Sequence, residues 1–284
     1  MSPSEREIFE LRLRAERDPS DVSVLLELGV ALERAGLGDE AAQAFARVLA
    51  VDPGHPIARC GRLDYFQRRY QAATAAGDAY ECAAIVHQVG GLGDSYAVPW
   101  LLSLLKGAEP VVCQKVAETL GRLGDRAAVP ALIGLLRTSA ACAWWQVAEA
   151  LGAIGDRAAV SPLVATLAEG APDARAAAAH ALGLLGDPAA VGGLAEALAH
   201  GELAVRRSAA QALGALGAPG GAPALAAALG DPDPETRDAA AAGLGALAGE
   251  SFRASRFRSA QRQARRWWDK SGRFRQWGTQ AVGP

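Results

Sequence analysis

The chain has 284 residues, of which 50% are hydrophobic, 21% charged and 6% aromatic, and its formal net charge is −2. Its 65 alanines against six phenylalanines and one methionine exclude a deep, bulky core and favour thin helices at close approach. Charged residues interrupt every apolar run before eighteen residues, which excludes a membrane span; the charged start at Met1 has no apolar stretch, so no secretory signal is expected. Four scattered cysteines, Cys60, Cys82, Cys113 and Cys142, do not form a disulfide framework, and a reducing, cytoplasmic setting is expected.

In chain order, residues 4–17 predict a helix that ends at the turn Asp18-Pro-Ser-Asp21. Over residues 22–55, Leu25, Leu28-Gly29, Leu32, Ala41, Phe45 and Pro53 alternate large and small positions in two helices, with Gly36 at the corner. This spacing is similar to a single tetratricopeptide unit, although Leu25 and Leu32 stand where that family has Trp and Tyr. One such unit cannot bury both faces, so helices over 4–17 and 57–75 are expected to sandwich it. Residues 1–56 are read as this tetratricopeptide-like region, continuous with the helical array over residues 57–250.

From residue 57 to 250 the chain repeats itself. Leu92-Gly93-Asp94, Leu123-Gly124-Asp125, Ile154-Gly155-Asp156 and Leu185-Gly186-Asp187 recur at a period of 31 residues and degrade to Leu216-Gly217-Ala218 and Leu247-Ala248-Gly249. Two leucine columns keep the same period: Leu101, Leu132, Leu163, Leu194 and Leu225, then Leu120, Leu151, Leu182, Leu213 and Leu244, each of the second set followed by glycine. Each period predicts two short helices, the first opening near a proline and the second closing at the Leu-Gly-Asp corner. Neither helix can bury its apolar face alone, and stacked neighbours supply the missing surface. The fold class is therefore all-α, an α-solenoid of two-helix repeats.

These corners, with Val205-Arg206 and Asp231-Pro-Asp-Pro-Glu-Thr-Arg237, resemble the HEAT-repeat family, in particular the short repeats of phycobilisome lyases, over residues 77–250. The resemblance implies a right-handed superhelix. It also implies a ladder in which a turn acid and an arginine six positions later stack along the array: Glu169/Arg175 and Asp231/Arg237 match, His200/Arg206 matches at the arginine, and Cys113 and Trp144 depart from the column. It further implies a protein or peptide partner on the concave face.

On the second helix of each repeat, the positions six, five and two residues before the late leucine are expected to form ridges on that face. The ridge candidates are His87, Gln114, Lys115, Glu118, Trp145, Gln146, Glu149, His180, Arg207 and Gln211, set in an otherwise alanine-rich background. Trp145 has the residue type enriched in binding hot spots; alternatively, Trp144-Trp145 fill the space left by neighbouring alanines. A HEAT-like enzyme, deoxyhypusine hydroxylase, carries iron-binding His-Glu pairs at the first two ridge positions. Here those positions hold Gln114-Lys115, Trp145-Gln146, Ala176-Ala177 and Arg207-Ser208, so no pair is present. His87, Glu118, Glu149 and His180 in the third column sit too far apart to share one ion. No catalytic residue, metal or cofactor is expected, and the leading reading is a non-enzymatic, monomeric interaction scaffold. A bilin lyase-like or chaperone-like HEAT protein is the alternative that the repeat subtype implies.

Residues 251–284 hold nine basic residues and one acid, whereas the rest of the chain carries twenty basic and thirty acidic residues. Phe252, Phe257, Ala260, Ala264, Trp267 and Trp268 fall on one side of a helix, and arginines 253, 256, 258, 262, 265 and 266 accompany them. One reading is a helix that caps the last repeat and shows arginines to water. The other is a nucleic-acid or anionic-surface patch, which the acidic remainder of the chain opposes. The last dozen residues, with Trp277, are expected to fray.

Overall fold

The computed structural model describes residues 3–93, 95–105, 109–137, 144–248 and 257–270. Asp94, Cys142, Gly249, Phe252, Arg253, Arg256 and Trp277 lie outside the described residues, as do the side chains of Phe257, Arg258 and Ala260. The described residues contain sixteen α-helices and five short 3-10 turns and no strand, so the fold is all-α. The chain forms two compact units, Met1–Pro99 and Trp100–Pro284.

The first unit contains α1 (Pro3–Arg17), α2 (Val22–Arg34), α3 (Gly38–Val51), α4 (Pro56–Ala75) and α5 (Ala79–Gly90), each packed on the next. Asp21 caps α2 by accepting from the backbone N–H groups of Ser23 and Val24. Phe45 is its packing centre. The ring is buried on α3, and a Cβ added at Gly29 on α2 or at Gly61 on α4 would come within 2.6 or 2.3 Å of it. Two helices therefore close on one aromatic ring because each offers it a glycine.

Helix α6 (Val98–Leu104) contains the division between the units. The second unit continues with α7 (Pro110–Leu123), α8 (Val129–Arg137), α9 (Trp144–Ile154), α10 (Val160–Glu169), α11 (Pro172–Leu185), α12 (Val191–His200), α13 (Leu203–Leu216), α14 (Ala222–Ala228), α15 (Pro234–Ala248) and α16 (Phe257–Lys270). Two layers stack in parallel. One runs α8, α10, α12, α14; the other runs α7, α9, α11, α13, α15; and α8–α9, α10–α11, α12–α13 and α14–α15 pair across them. This is the solenoid that the 31-residue period requires. All ten leucines of the two columns, from Leu101 to Leu244, have no exposed surface, and burial of each contributes roughly 1.5–3 kcal/mol.

The corners follow from two residue types. Gly124, Gly155, Gly186 and Gly217 adopt φ between 58° and 69°, where a side chain is strained, and this ends the second helix of each repeat. The aspartate after glycine then accepts from a backbone N–H two residues on: Asp125 from Ala127, Asp156 from Ala158 and Asp187 from Ala189. Each bond opens a 3-10 turn that leads into the next helix, a turn the two-helix reading of the period does not include. The glycines after Leu120 and Leu182 have a different purpose. A Cβ on Gly121 would lie 2.7 Å from Cα of Ala150, and one on Gly183 would lie 2.9 Å from Cα of Ala212, so neighbouring second helices meet backbone to backbone.

Helix α16 lies against α14 and α15. Ala264 is fully buried there, Trp267 and Trp268 are half-buried, and Arg262, Arg265 and Arg266 are exposed.

Candidate functional site

The turn side of the second unit is built by arginines that reach forward along the array. Arg175 on α11 donates to both carboxylate oxygens of Glu202 at 3.0 and 2.9 Å and, through Nε, to the carbonyl of Leu167. One repeat on, Arg206 forks onto Asp231 at 2.8 and 3.1 Å and donates to the carbonyl of Gly201. The carboxylate partner thus comes from the following turn, while the arginine's own turn supplies a backbone carbonyl. Arg237 donates to the carbonyls of Asp231 and Pro232. In the departing column position before these, Trp144 is half-buried and its Nε1 is buried without a partner among the described residues.

Arg207, a ridge candidate, is engaged in the same region. It forks onto Asp233 at 2.8 and 2.7 Å and pairs with Glu235 at 2.8 Å. Asp233 also accepts from the backbone and hydroxyl of Thr236, both at 2.8 Å, and so caps α15. The Arg207 guanidinium, aided by Thr236, holds the Asp233 carboxyl far below the usual carboxylate range.

The ridge positions separate into open and covered ones. In the third column, Glu118, Glu149 and Gln211 are exposed and His180 is half-buried. In the first two columns, Gln114 on α7 is exposed, Lys115 and Gln146 are half-buried, Trp145 on α9 keeps 45% of its surface, and Arg207 on α13 is half-buried. At α11 and α13, Ala176, Ala177 and Ser208 are buried instead. Their small side chains let consecutive second helices approach until these three are covered. Lys115 pairs with Glu118 at 2.5 Å across one helical turn, a surface contact of small energy. Trp145 and His180 are brought together edge to face, with ring centroids 5.2 Å apart. His87 is exposed on α5 and belongs to the unit Met1–Pro99.

Sequence comparison agrees with this architecture. A family model described as HEAT repeats matches residues 67–141, 145–210 and 193–255. The chain belongs to the HEAT-repeat family. No curated protein matches it. Among solved structures, the chain is similar to human deoxyhypusine hydroxylase in complex with glycerol, at 21% identity over 76% of this chain and 99% of that one, with a TM-score of 0.36. It is also similar to the complex of CpcE and CpcF of phycocyanin lyase from Nostoc sp. PCC7120, at 25% identity over 93% and 95% of the two chains, with a TM-score of 0.38.

Within this HEAT chain, no group of three or more His, Cys, Asp or Glu among the described residues could hold a metal ion. Cys60, Cys82 and Cys113 take part in no disulfide among the described residues, and the last two are buried. No helix among the described residues is long and apolar enough to cross a membrane. The engagement of Arg207 by Asp233 was missed by reading the ridge as a set of columns. Its signal in the sequence is the acid-rich turn Asp231-Pro-Asp-Pro-Glu235, one turn ahead of the arginine.

Proposed function

We propose that this HEAT-repeat chain is a non-enzymatic scaffold that holds a protein or peptide segment on the second-helix ridge of the unit Trp100–Pro284. The observation that carries the reading is Trp145, nearly half exposed on α9 and supported at its edge by His180 of α11. An indole that is oriented by a neighbour and still open to solvent has much of its ordering cost met before binding, which is what an interface anchor needs. Gln114 and Glu118 on α7, with Gln146 and Glu149 on α9, supply a polar rim. Arg207 serves the scaffold through Asp233, and the rim does not depend on it. A cytoplasmic, monomeric protein without cofactor belongs to the same proposal.

Placing a photo-crosslinking amino acid at Gln146, and separately at Arg262 on α16, tests it. A partner that crosslinks from position 146, and no longer does so after Trp145→Ala, supports the ridge. Crosslinks from position 262 alone would move the site to the basic helix, whose exposed Arg262, Arg265 and Arg266 favour an anionic partner. Binding there would weaken steeply as salt rises.

A further inference from the structure

A pocket of about 640 Å³ opens in the unit Met1–Pro99, between α3, α4 and the segment after α5. One wall is apolar, formed by Leu49 of α3 and by Leu63 and Phe66 of α4. The polar lining is of one sign. Arg59 and Arg62 stand one helical turn apart on α4, and no acid is among the lining residues described. This is unexpected in a chain whose first 250 residues carry thirty acids against twenty basic residues.

The two arginines differ. Arg59 donates from Nε to the carbonyl of Pro53 and so ties down the turn before α4. Arg62 has no ion pair among the described residues. Its Nε is buried with no hydrogen-bond partner, and its guanidinium lies 6.0 Å from the Phe66 ring centroid. Burial pushes this guanidinium below its ordinary pKa. A buried donor without a partner is costly, and a guanidinium fork in an apolar pocket is matched by a carboxylate. Gln88 opposite accepts from Arg69 through its carbonyl oxygen, which leaves its amide hydrogens as donors.

We propose that this pocket is a second ligand site, separate from the ridge, which binds a carboxylate carried on an apolar body. Arg62 holds the anion, and the wall of Leu49, Leu63 and Phe66 takes the body. Two sources present this chemistry: the C-terminus of a peptide ending in a large apolar residue, and a small apolar carboxylic acid. A few convergent polar groups over an apolar wall is the usual build of a small-ligand pocket.

The test is a titration of the isotope-labelled full chain with acetyl-Leu-Phe as free acid, with its C-terminal amide and with phenylpropionate. The amide signals of Gly91 and Gly93, which line the pocket, are followed. The free acid is expected to shift both, and the amide to bind about tenfold or more weakly, the factor lost with a charge-assisted hydrogen bond. Arg62→Gln is expected to lose the same factor with little change in melting temperature, because the guanidinium it removes has no ion pair among the described residues and only the Phe66 ring beside it. Arg62→Lys should recover part of the affinity. Trp145→Ala should leave it unchanged, which separates this site from the ridge. Tighter binding of acetyl-Leu-Phe than of phenylpropionate assigns the pocket to a peptide terminus, and the reverse order to a small acid; either order upholds the proposal. Equal affinity for acid and amide, full affinity in Arg62→Gln, or no shift at Gly91 and Gly93 at millimolar ligand overturns it. The acid–amide comparison uses the unaltered protein, so it decides the matter even if Arg62→Gln fails to fold.

Discussion

Trp145 on α9 and His180 on α11 meet edge to face, with ring centroids 5.2 Å apart and planes at 64°. They are one repeat plus one helical turn apart in sequence, so stacking of the second helices alone brings them together. The contact orients the indole without enclosing it. Trp145→Ala should therefore weaken partner binding by roughly 2–4 kcal/mol, about thirtyfold or more, in a direct binding assay. The melting temperature should barely move, because a fully packed tryptophan would cost roughly 3–5 kcal/mol and this one is half open. His180→Ala removes only the supporting edge and should cost about 0.5–1.5 kcal/mol of affinity. Unfolding of Trp145→Ala would place the ring in the core and end the site assignment.

The leucine columns are expected to carry stability without touching binding. Leu151 is completely buried on α9, six residues from Trp145. Leu151→Ala should destabilise by about 2–5 kcal/mol in denaturant melts, through lost transfer energy and the cavity left behind. A loss below about 1 kcal/mol would mean that the array collapses around the gap.

Two glycines three residues apart test two different constraints. Gly124→Ala forces a side chain into a left-handed corner and should cost roughly 1–2 kcal/mol while leaving helix spacing intact. Gly121→Ala instead drives a methyl against the backbone of Ala150, which cannot yield as a flexible side chain would. It should cost roughly 1–3 kcal/mol and perturb amide signals on α9 as well as α7. Perturbation limited to α7 would refute the close approach.

The same contrast marks where the sequence is legible. Period, corners and core leucines could be read because each repeats: Leu-Gly-Asp marks a left-handed glycine and a capping aspartate at every corner described. The openness of the ridge could not be read in the same way. Ala177 and Gln146 occupy equivalent positions, yet one is buried and the other half-buried, since exposure depends on how closely the next helix approaches. Arg207 and Asp233 pair across a repeat boundary, which column-by-column reading separates. The pocket around Arg62 draws on three stretches, within residues 46–53, 59–66 and 88–97, and the one periodic mark among them, Leu92-Gly93, announces a corner and not a cavity.

The Arg207–Asp233 pair sets an acid limit. A carboxyl whose folded pKa is depressed stabilises the fold above its ordinary value of about 3.9 and loses that contribution as pH falls toward the folded value. Stability should therefore decline below about pH 4. Asp233→Asn should flatten that decline while lowering stability at neutral pH, through loss of the ion pair. The amide oxygen retains part of the cap to Thr236, so the neutral-pH loss reports mainly the ion pair with Arg207. An unchanged acid transition in Asp233→Asn would show that other carboxyls govern it.

Helix α16 lies against α14 and α15, and its removal is expected to have a local effect first. Ala264 is fully buried on the helix that lies against α14 and α15, whose Leu225 and Leu244 are fully buried too. Ending the chain at Glu250 uncovers α14 and α15, and a solenoid end without a polar cover exposes core-facing surface. Hydrogen exchange should then accelerate on α14 and α15 while α9 and α11 keep their protection, because each repeat contacts only its neighbours. The truncated chain should also self-associate. Ala264→Arg is the gentler variant, placing a charge where no space or partner exists, and should reproduce the exchange pattern. If the truncated chain stays monomeric with α14 and α15 as protected as before, α16 is no cap, and its exposed arginines become the reason for its presence.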